Sequence, residues 1–312
     1  VILKPREDSL ATIDRLEALL NHPRANSHIR HKIEQQISNI RRGDMGEAQA
    51  AYHIDVDFGR SQNWVVIHDL RVEHEGLVAQ IDHLLINRLL DLWVLESKRF
   101  AGGIKINERG ECLTFAARKP IAVDSPIEQN RRHMKILQAM LDVGAVRLPT
   151  RLGRPLKPKI RSLVLISAGL ISRPRTPVPG IETVIKSDQV RTTIERTGDS
   201  GNPLELMKIV SSETLAELGE QICALHRPIQ FDWEKRLGLD EAPTQPDPVA
   251  PARREYKITV ESAPRAEPEV LRAQAKVSDK PAPSAEGCAG CGCEVSRGVR
   301  AYCKTNHERF GG

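Results

Sequence analysis

The sequence predicts an α/β fold, a mixed sheet flanked by helices, with a small metal-binding module behind a linker. Three observations carry this expectation. Helical spacing of apolar residues opens the chain, strand-like runs lie between Trp64 and Lys98, and a proline-rich stretch precedes a terminal group of four cysteines. The expected divisions are a helical region at 1–42, a core at 43–150 continued by strands and helices at 151–231, a linker at 232–286 and a zinc-binding module at 287–312.

Leu10, Ile13, Leu16 and Leu19 recur at helical intervals between Asp8 and Leu20, and Pro23 ends the pattern. A second helical pattern runs from about Ser27 through Ile40 to Tyr52. Gly43 and Gly46 interrupt it, so one kinked helix or two short ones are expected. Its last part, Gly46-Glu47-Ala48-Gln49-Ala50, is small enough to pack closely against a sheet. Strand-like runs follow at Trp64–Leu70, Leu77–Ile86 and Leu92–Lys98. Gly102-Gly103 then introduces a hairpin of 104–107 and 112–115, turned at Glu108-Arg109-Gly110. Ser125 is a helix cap and Pro126 the first residue of a helix reaching about Val143. Arg161–Ser167 reads as a buried strand and Glu182–Lys186 as a short one, with helices over about 188–196 and 212–226. Between Ala242 and Ala285 proline recurs and large apolar residues nearly vanish, leaving too little apolar area to offset the entropy of ordering.

The bulk composition narrows the function classes. A net charge of +5 and a pI near 8.9 are compatible with a polyanionic partner without demanding one. Aromatic residues make up only 4%, which argues against a stacking platform for single strands. No apolar run is long enough to span a bilayer, no signal peptide is recognised, and the expected compartment is the reducing cytoplasm. Nothing in the sequence sets the oligomeric state.

The chemistry concentrates in Leu92-Trp93-Val94-Leu95-Glu96-Ser97-Lys98. Strand side chains alternate, so Glu96 and Lys98 share a face. Glu96 follows an apolar run, and a charge at the end of a buried strand is costly unless something coordinates it. Asp82 sits likewise within Ile81-Asp82-His83-Leu84-Leu85-Ile86. If the strands are neighbours the two carboxylates converge, and a hard cation, Mg²⁺ or Mn²⁺, resolves their repulsion. Lys98 is then placed to assist an attacking water or to stabilise negative charge. Glu47, on the preceding helix, is a fourth member that holds the cation directly or through water. This set supports phosphodiester hydrolysis. Taken alone, Glu-x-Lys is common on exposed strands as a solvated pair.

Gly46-Glu47, Gln80-Ile81-Asp82-His83 and Leu95-Glu96-Ser97-Lys98 followed by Gly102-Gly103-Ile104 resemble the nuclease-related domain (NERD) family, which is similar to the PD-(D/E)XK superfamily and its Mrr-like restriction endonucleases. The resemblance covers about Gly43 to Leu141. It implies a restriction-endonuclease-like core with Asp82, Glu96 and Lys98 catalytic, Glu47 supporting, and nucleic acid, foremost DNA, as substrate. The superfamily's proline before the aspartate is Ile81 here. Gln129 corresponds to glutamines that reach the site in Mrr-like enzymes, although a polar residue in a first helical turn is equally an ordinary surface feature. His83 alternates away from Asp82 and reads as a packed or surface histidine.

Cys288-Ala289-Gly290-Cys291 has the spacing of a Zn²⁺ knuckle, with Cys303 as third ligand and His307, Cys293 or a residue further along as the fourth. The alternative to an enzyme is a binding module that keeps the fold, its carboxylates and lysine forming a structural ion pair.

Overall fold

The computed structural model describes residues 1–116, 119–199, 208–229 and 231–240. In chain order the elements are β1 (Ile2–Lys4), α1 (Leu10–Leu19), α2 (Ser27–Phe58), β2 (Trp64–His74), β3 (Leu77–Asn87), β4 (Asp91–Arg99), β5 (Ile104–Ile106), β6 (Cys112–Ala116) and β7 (Lys119–Val123). There follow α3 (Pro126–Asp142), β8 (Thr150–Arg151), β9 (Arg154–Pro155), β10 (Lys159–Ala168), β11 (Ile171–Ser172), β12 (Val184–Lys186), α4 (Val190–Asp199), α5 (Ser212–Ala224) and α6 (Trp233–Arg236).

The main sheet has the order β1-β2-β3-β4-β10-β12. Its centre, β2-β3-β4, is antiparallel, while β1 joins β2 and β10 joins β4 and β12 in parallel, so the sheet is mixed as expected. Alternation along the strands sends Val65, Ile67, Leu84, Ile86, Leu92 and Val94 toward α3 and α5. Val66, Leu85, Trp93, Leu95, Leu163 and Leu165 face α2 and α4. Both faces are thus covered, which is why β4 reads as a continuous apolar run. A smaller sheet, β11-β5-β6-β7, buries Ile104, Ile106 and Cys112 against Ile127, Val164 and Ile166. Two short strands at its edges, β7 and β11, carry no sequence signal of their own beside the expected hairpin.

The pattern from Ser27 onward forms one helix of 32 residues, capped by the Asn26 side chain on the Ile29 amide at 2.9 Å. Gly46 does not break it. A Cβ there would stand 2.9 Å from Arg99 Cβ and 3.3 Å from Ser167 Oγ, so glycine lets the helix lie directly on β4 and β10. The first half of α2 instead buries Ile33 and Ile37 against Ile13, Leu16 and Leu19 of α1.

Residues 232–240, at the front of the stretch expected to be linker, are folded. Trp233 and Leu239 are buried in that same α1–α2 cluster, and Asp232 caps α6 by accepting from the Lys235 amide at 3.1 Å. Folded structure therefore extends past the sequence boundary at 232, because one tryptophan supplies the apolar area its proline-rich surroundings lack. The proline-rich remainder and Cys288, Cys291, Cys293, Cys303 and His307 lie outside the described residues. Among the described residues, no helix is long and apolar enough to cross a membrane.

Candidate functional site

The site forms where β3 parts from β4. Their ladder runs from the Ile86–Leu92 pair to the His83–Leu95 pair and stops. One residue further on β3 is Asp82, and one residue further on β4 is Glu96. The Ser97 amide, left without a β3 carbonyl, donates instead to Asp82 Oδ2 at 2.7 Å. On the other side of β3, the register with β2 skips from His68–His83 to Leu70–Ile81. Asp69 fills that gap with φ 51°, a left-handed conformation that aspartate tolerates better than most residues.

Glu96 is 1% exposed, and its two oxygens differ. Oε1 accepts from Lys98 Nζ at 2.6 Å. Oε2 is buried without a hydrogen-bond partner. His133 Nδ1 on α3 lies 3.6 Å from it and also has no partner. That separation is beyond hydrogen-bond range. Burial, aided by the charges of Lys98 and Arg132, lowers the His133 pKa to about 4, so the imidazole is neutral and the contact is not an ion pair at neutral pH.

Electrostatics tie the four expected residues together. Burial raises the Asp82 pKa well above the usual carboxylate range, and the charges of Glu96 and Glu47 raise it further. Burial also raises Glu96, against the pull of Lys98. Glu47, half-buried on α2, is raised by burial and by repulsion from Asp69. Burial pulls Lys98 down, but Glu96, Asp82 and Glu47 outweigh it, so its pKa rises and the ammonium is retained. Three carboxylates facing one ammonium leave an excess of negative charge, the condition that a divalent cation relieves. The orphaned Glu96 Oε2 gives such a cation a ready ligand, so the donor set fits Mg²⁺ or Mn²⁺. Among the described residues no three His, Cys, Asp or Glu side chains enclose an ion by themselves, so water and substrate oxygens would complete the shell.

Gln129 is half-buried in the first turn of α3, and the structure places no side-chain hydrogen bond on it among the described residues. The α3 residue that meets Glu96 is His133, one turn later. Asn130, fully buried, fixes that face of the helix by donating to the carbonyls of Val94 at 2.8 Å and Leu163 at 3.0 Å and to Ser162 Oγ at 2.9 Å. Apolar-facing polar residues at i and i+3 on one helix, Asn130 and His133, are the sequence signal that could have found this pair.

A second feature lies behind the site. Ser97 Oγ is 2.8 Å from His83 Nε2, His83 Nδ1 is 2.6 Å from His68 Nδ1, and His68 Nε2 is 2.9 Å from Asp55 Oδ1. With the Asp55 carboxylate as terminal acceptor, each role follows. His68 donates to Asp55, His83 donates to His68, and the Ser97 hydroxyl donates to His83. Burial, aided by the neighbouring His68, holds His83 well below its ordinary pKa. His83 is therefore a packed histidine with both nitrogens engaged. Its partner His68 lies on a different strand, and sequence spacing alone does not pair them.

Beside Gly46 a cleft of about 770 Å³ is lined by Arg42, Arg99, Phe100, Gly102, Thr114 and Phe115. It carries the guanidinium groups of Arg42 and Arg99, and none of Glu47, Asp82, Glu96 and Lys98 lines it. No curated protein and no solved structure matches the chain. The family model described as nuclease-related domain (NERD) matches residues 42–167, from the middle of α2 almost to the end of β10, and the matched segment contains Glu47, Asp82, Glu96, Lys98, Gln129 and His133.

Proposed function

We propose that this domain is a metal-dependent nuclease that hydrolyses phosphodiester bonds in DNA. The observation that carries the reading is the meeting of Asp82, Glu96 and Lys98, with Glu47 in electrostatic contact, where β3 leaves β4. Asp82 and Glu96 would hold Mg²⁺ or Mn²⁺. Bound there, a divalent cation polarises a phosphoryl oxygen and lowers the pKa of a bound water. The Ser97 amide fixes the Asp82 carboxylate by donating to Oδ2. Lys98 remains an ammonium, so it orients the attacking water by donating a hydrogen bond and stabilises charge developing on phosphate, and it does not act as the base. Arg42 and Arg99 suit the neighbouring cleft to a polyanionic strand. The cysteine module, as a Zn²⁺ site, would dock nucleic acid or a partner.

The test is cleavage of plasmid DNA with Mg²⁺ or Mn²⁺ by wild type, Asp82→Ala and Lys98→Ala, with an RNA substrate run alongside. Cleavage by wild type alone is expected, and equal cleavage by all three overturns the proposal. A second reading, a non-catalytic binding module, is favoured by one contact, the 2.6 Å Lys98–Glu96 ion pair, which satisfies both charges without a cation. DNA binding without cleavage, unaffected by Asp82→Ala, would support it.

A further inference from the structure

We propose that His133 is a cation ligand, whose Nδ1 and Glu96 Oε2 form an imidazole–carboxylate edge of the site that selects a first-row transition-metal dication over Mg²⁺. The inference rests on the nuclease reading and adds both a ligand and a metal class to it.

The two atoms are the argument. Both are buried, both lack a hydrogen-bond partner, and they face each other at 3.6 Å. Buried polar atoms are almost always paired, so two orphans pointing at one another call for a shared partner. Ligands bound to one ion at about 2.1 Å stand roughly 3.0–3.4 Å apart for angles between octahedral and tetrahedral. A shift of a few tenths of an ångström brings the pair into that range. Water is a poorer occupant, because it must find partners in addition to these two and cannot relieve the carboxylate repulsion.

The surroundings hold the pair in place. Lys98 occupies Glu96 Oε1 and so leaves Oε2 turned toward α3. Asn130, one turn before His133, ties the helix to Val94, Ser162 and Leu163. The Glu96 carboxylate and the helix turn that carries His133 are thus both fixed. The charges agree with the stoichiometry, since Glu47, Asp82 and Glu96 against Lys98 leave two negative charges for one dication. An imidazole ligand decides the class. Mg²⁺ takes oxygen ligands and keeps its waters, whereas later first-row dications accept nitrogen readily. Mn²⁺ lies at the boundary and serves as the probe, since it does not compete well for the thiolates of the cysteine module.

The experiment uses the full chain and MnCl₂ alone. Mn²⁺ affinity is measured by calorimetry, and three-pulse electron spin-echo modulation reads nitrogen coupling to bound Mn²⁺. Wild type is expected to show imidazole ¹⁴N modulation. His133→Ala loses it, with Mn²⁺ affinity reduced about tenfold or more and Mg²⁺ affinity reduced less. His133→Asp, which offers an oxygen where Nδ1 stood, recovers Mn²⁺ binding without the nitrogen signal. Mn²⁺ bound to wild type and lost in Glu96→Gln, but without nitrogen coupling, overturns the role of His133 and leaves the nuclease reading standing. Nitrogen coupling that persists in His133→Ala likewise overturns it. A wild-type chain that binds no Mn²⁺ overturns both.

Discussion

Ser97 holds Asp82 through its main chain, the amide donating to Oδ2 at 2.7 Å, while its hydroxyl belongs to the histidine pair behind the sheet. One residue thus serves two networks with separate atoms. Ser97→Ala keeps the first and removes the second, leaving His83 Nε2 buried and unpaired. The expected cost is about 1–3 kcal/mol of stability, read by urea denaturation. Cation affinity should stay near wild type, because the group gripping Asp82 is backbone. An equal loss of affinity would show that the relay, and not the amide, sets the carboxylate.

The two glycines of α2 should respond in opposite directions to alanine. At Gly43 a Cβ meets only Glu47 Oε1, at 4.0 Å, so Gly43→Ala gains about 1 kcal/mol of helix propensity. At Gly46 the same Cβ stands 2.9 Å from Arg99 Cβ, which belongs to β4 and is held by its pairing with β10. Overpacking of about 1–3 kcal/mol then exceeds the propensity gain. Thermal denaturation of the two variants side by side checks the contrast.

Asp82 should cost the metal-free protein stability at neutral pH. Burial and the Glu96 and Glu47 charges raise its pKa, so the folded chain binds this proton more tightly than the unfolded chain. Its contribution is then lost as pH rises from about 4 through the raised folded value. Asp82→Asn retains an oxygen for the Ser97 amide and sheds the charge. In the absence of divalent cations it should unfold higher at pH 7, by about 2–4 °C for each ~1 kcal/mol relieved, with the gap closing toward pH 4. Mn²⁺ should raise the midpoint of wild type and not of the variant.

His133 has the opposite sign. Its folded pKa of about 4 lies below the ordinary 6.5, so acidification protonates the unfolded chain first. Stability from this group is complete above 6.5 and is lost as pH falls toward 4. His133→Gln should flatten that part of the pH–stability profile, measured by urea unfolding at pH 7, 6 and 5.

Trp233 is 5% exposed among Ile13, Leu16, Ile33 and Ile37. Trp233→Ala should cost about 3–5 kcal/mol, with amide exchange rising in α1 and the first half of α2.

The sequence carries the main sheet well, because β2, β3 and β4 are long and alternate or bury both faces. It conveys less where an element is held by its neighbours. β1 has three residues and exists through pairing with β2, and α6 has four and exists through Trp233. The carboxylates and lysine were legible because a charge inside an apolar strand is conspicuous in one dimension. Their orientation was not, since it depends on where a ladder stops and on the Asp69 conformation. His133 and the His68–His83 pair depend on contacts between elements far apart in the chain, and no local spacing encodes them.

The single long helix also limits how this chain can change in length. About 48 Å of α2 is fixed to α1 at one end and to the sheet at the other, with Glu47 in between. One residue inserted or deleted between Ile37 and Ala50 would rotate everything beyond it by about 100°. Glu47 would leave the carboxylate group, or Ala50, Ile54 and Phe58 would leave the sheet. Within this stretch substitutions are tolerable one at a time, whereas a change of length is tolerable only in units close to whole helical turns.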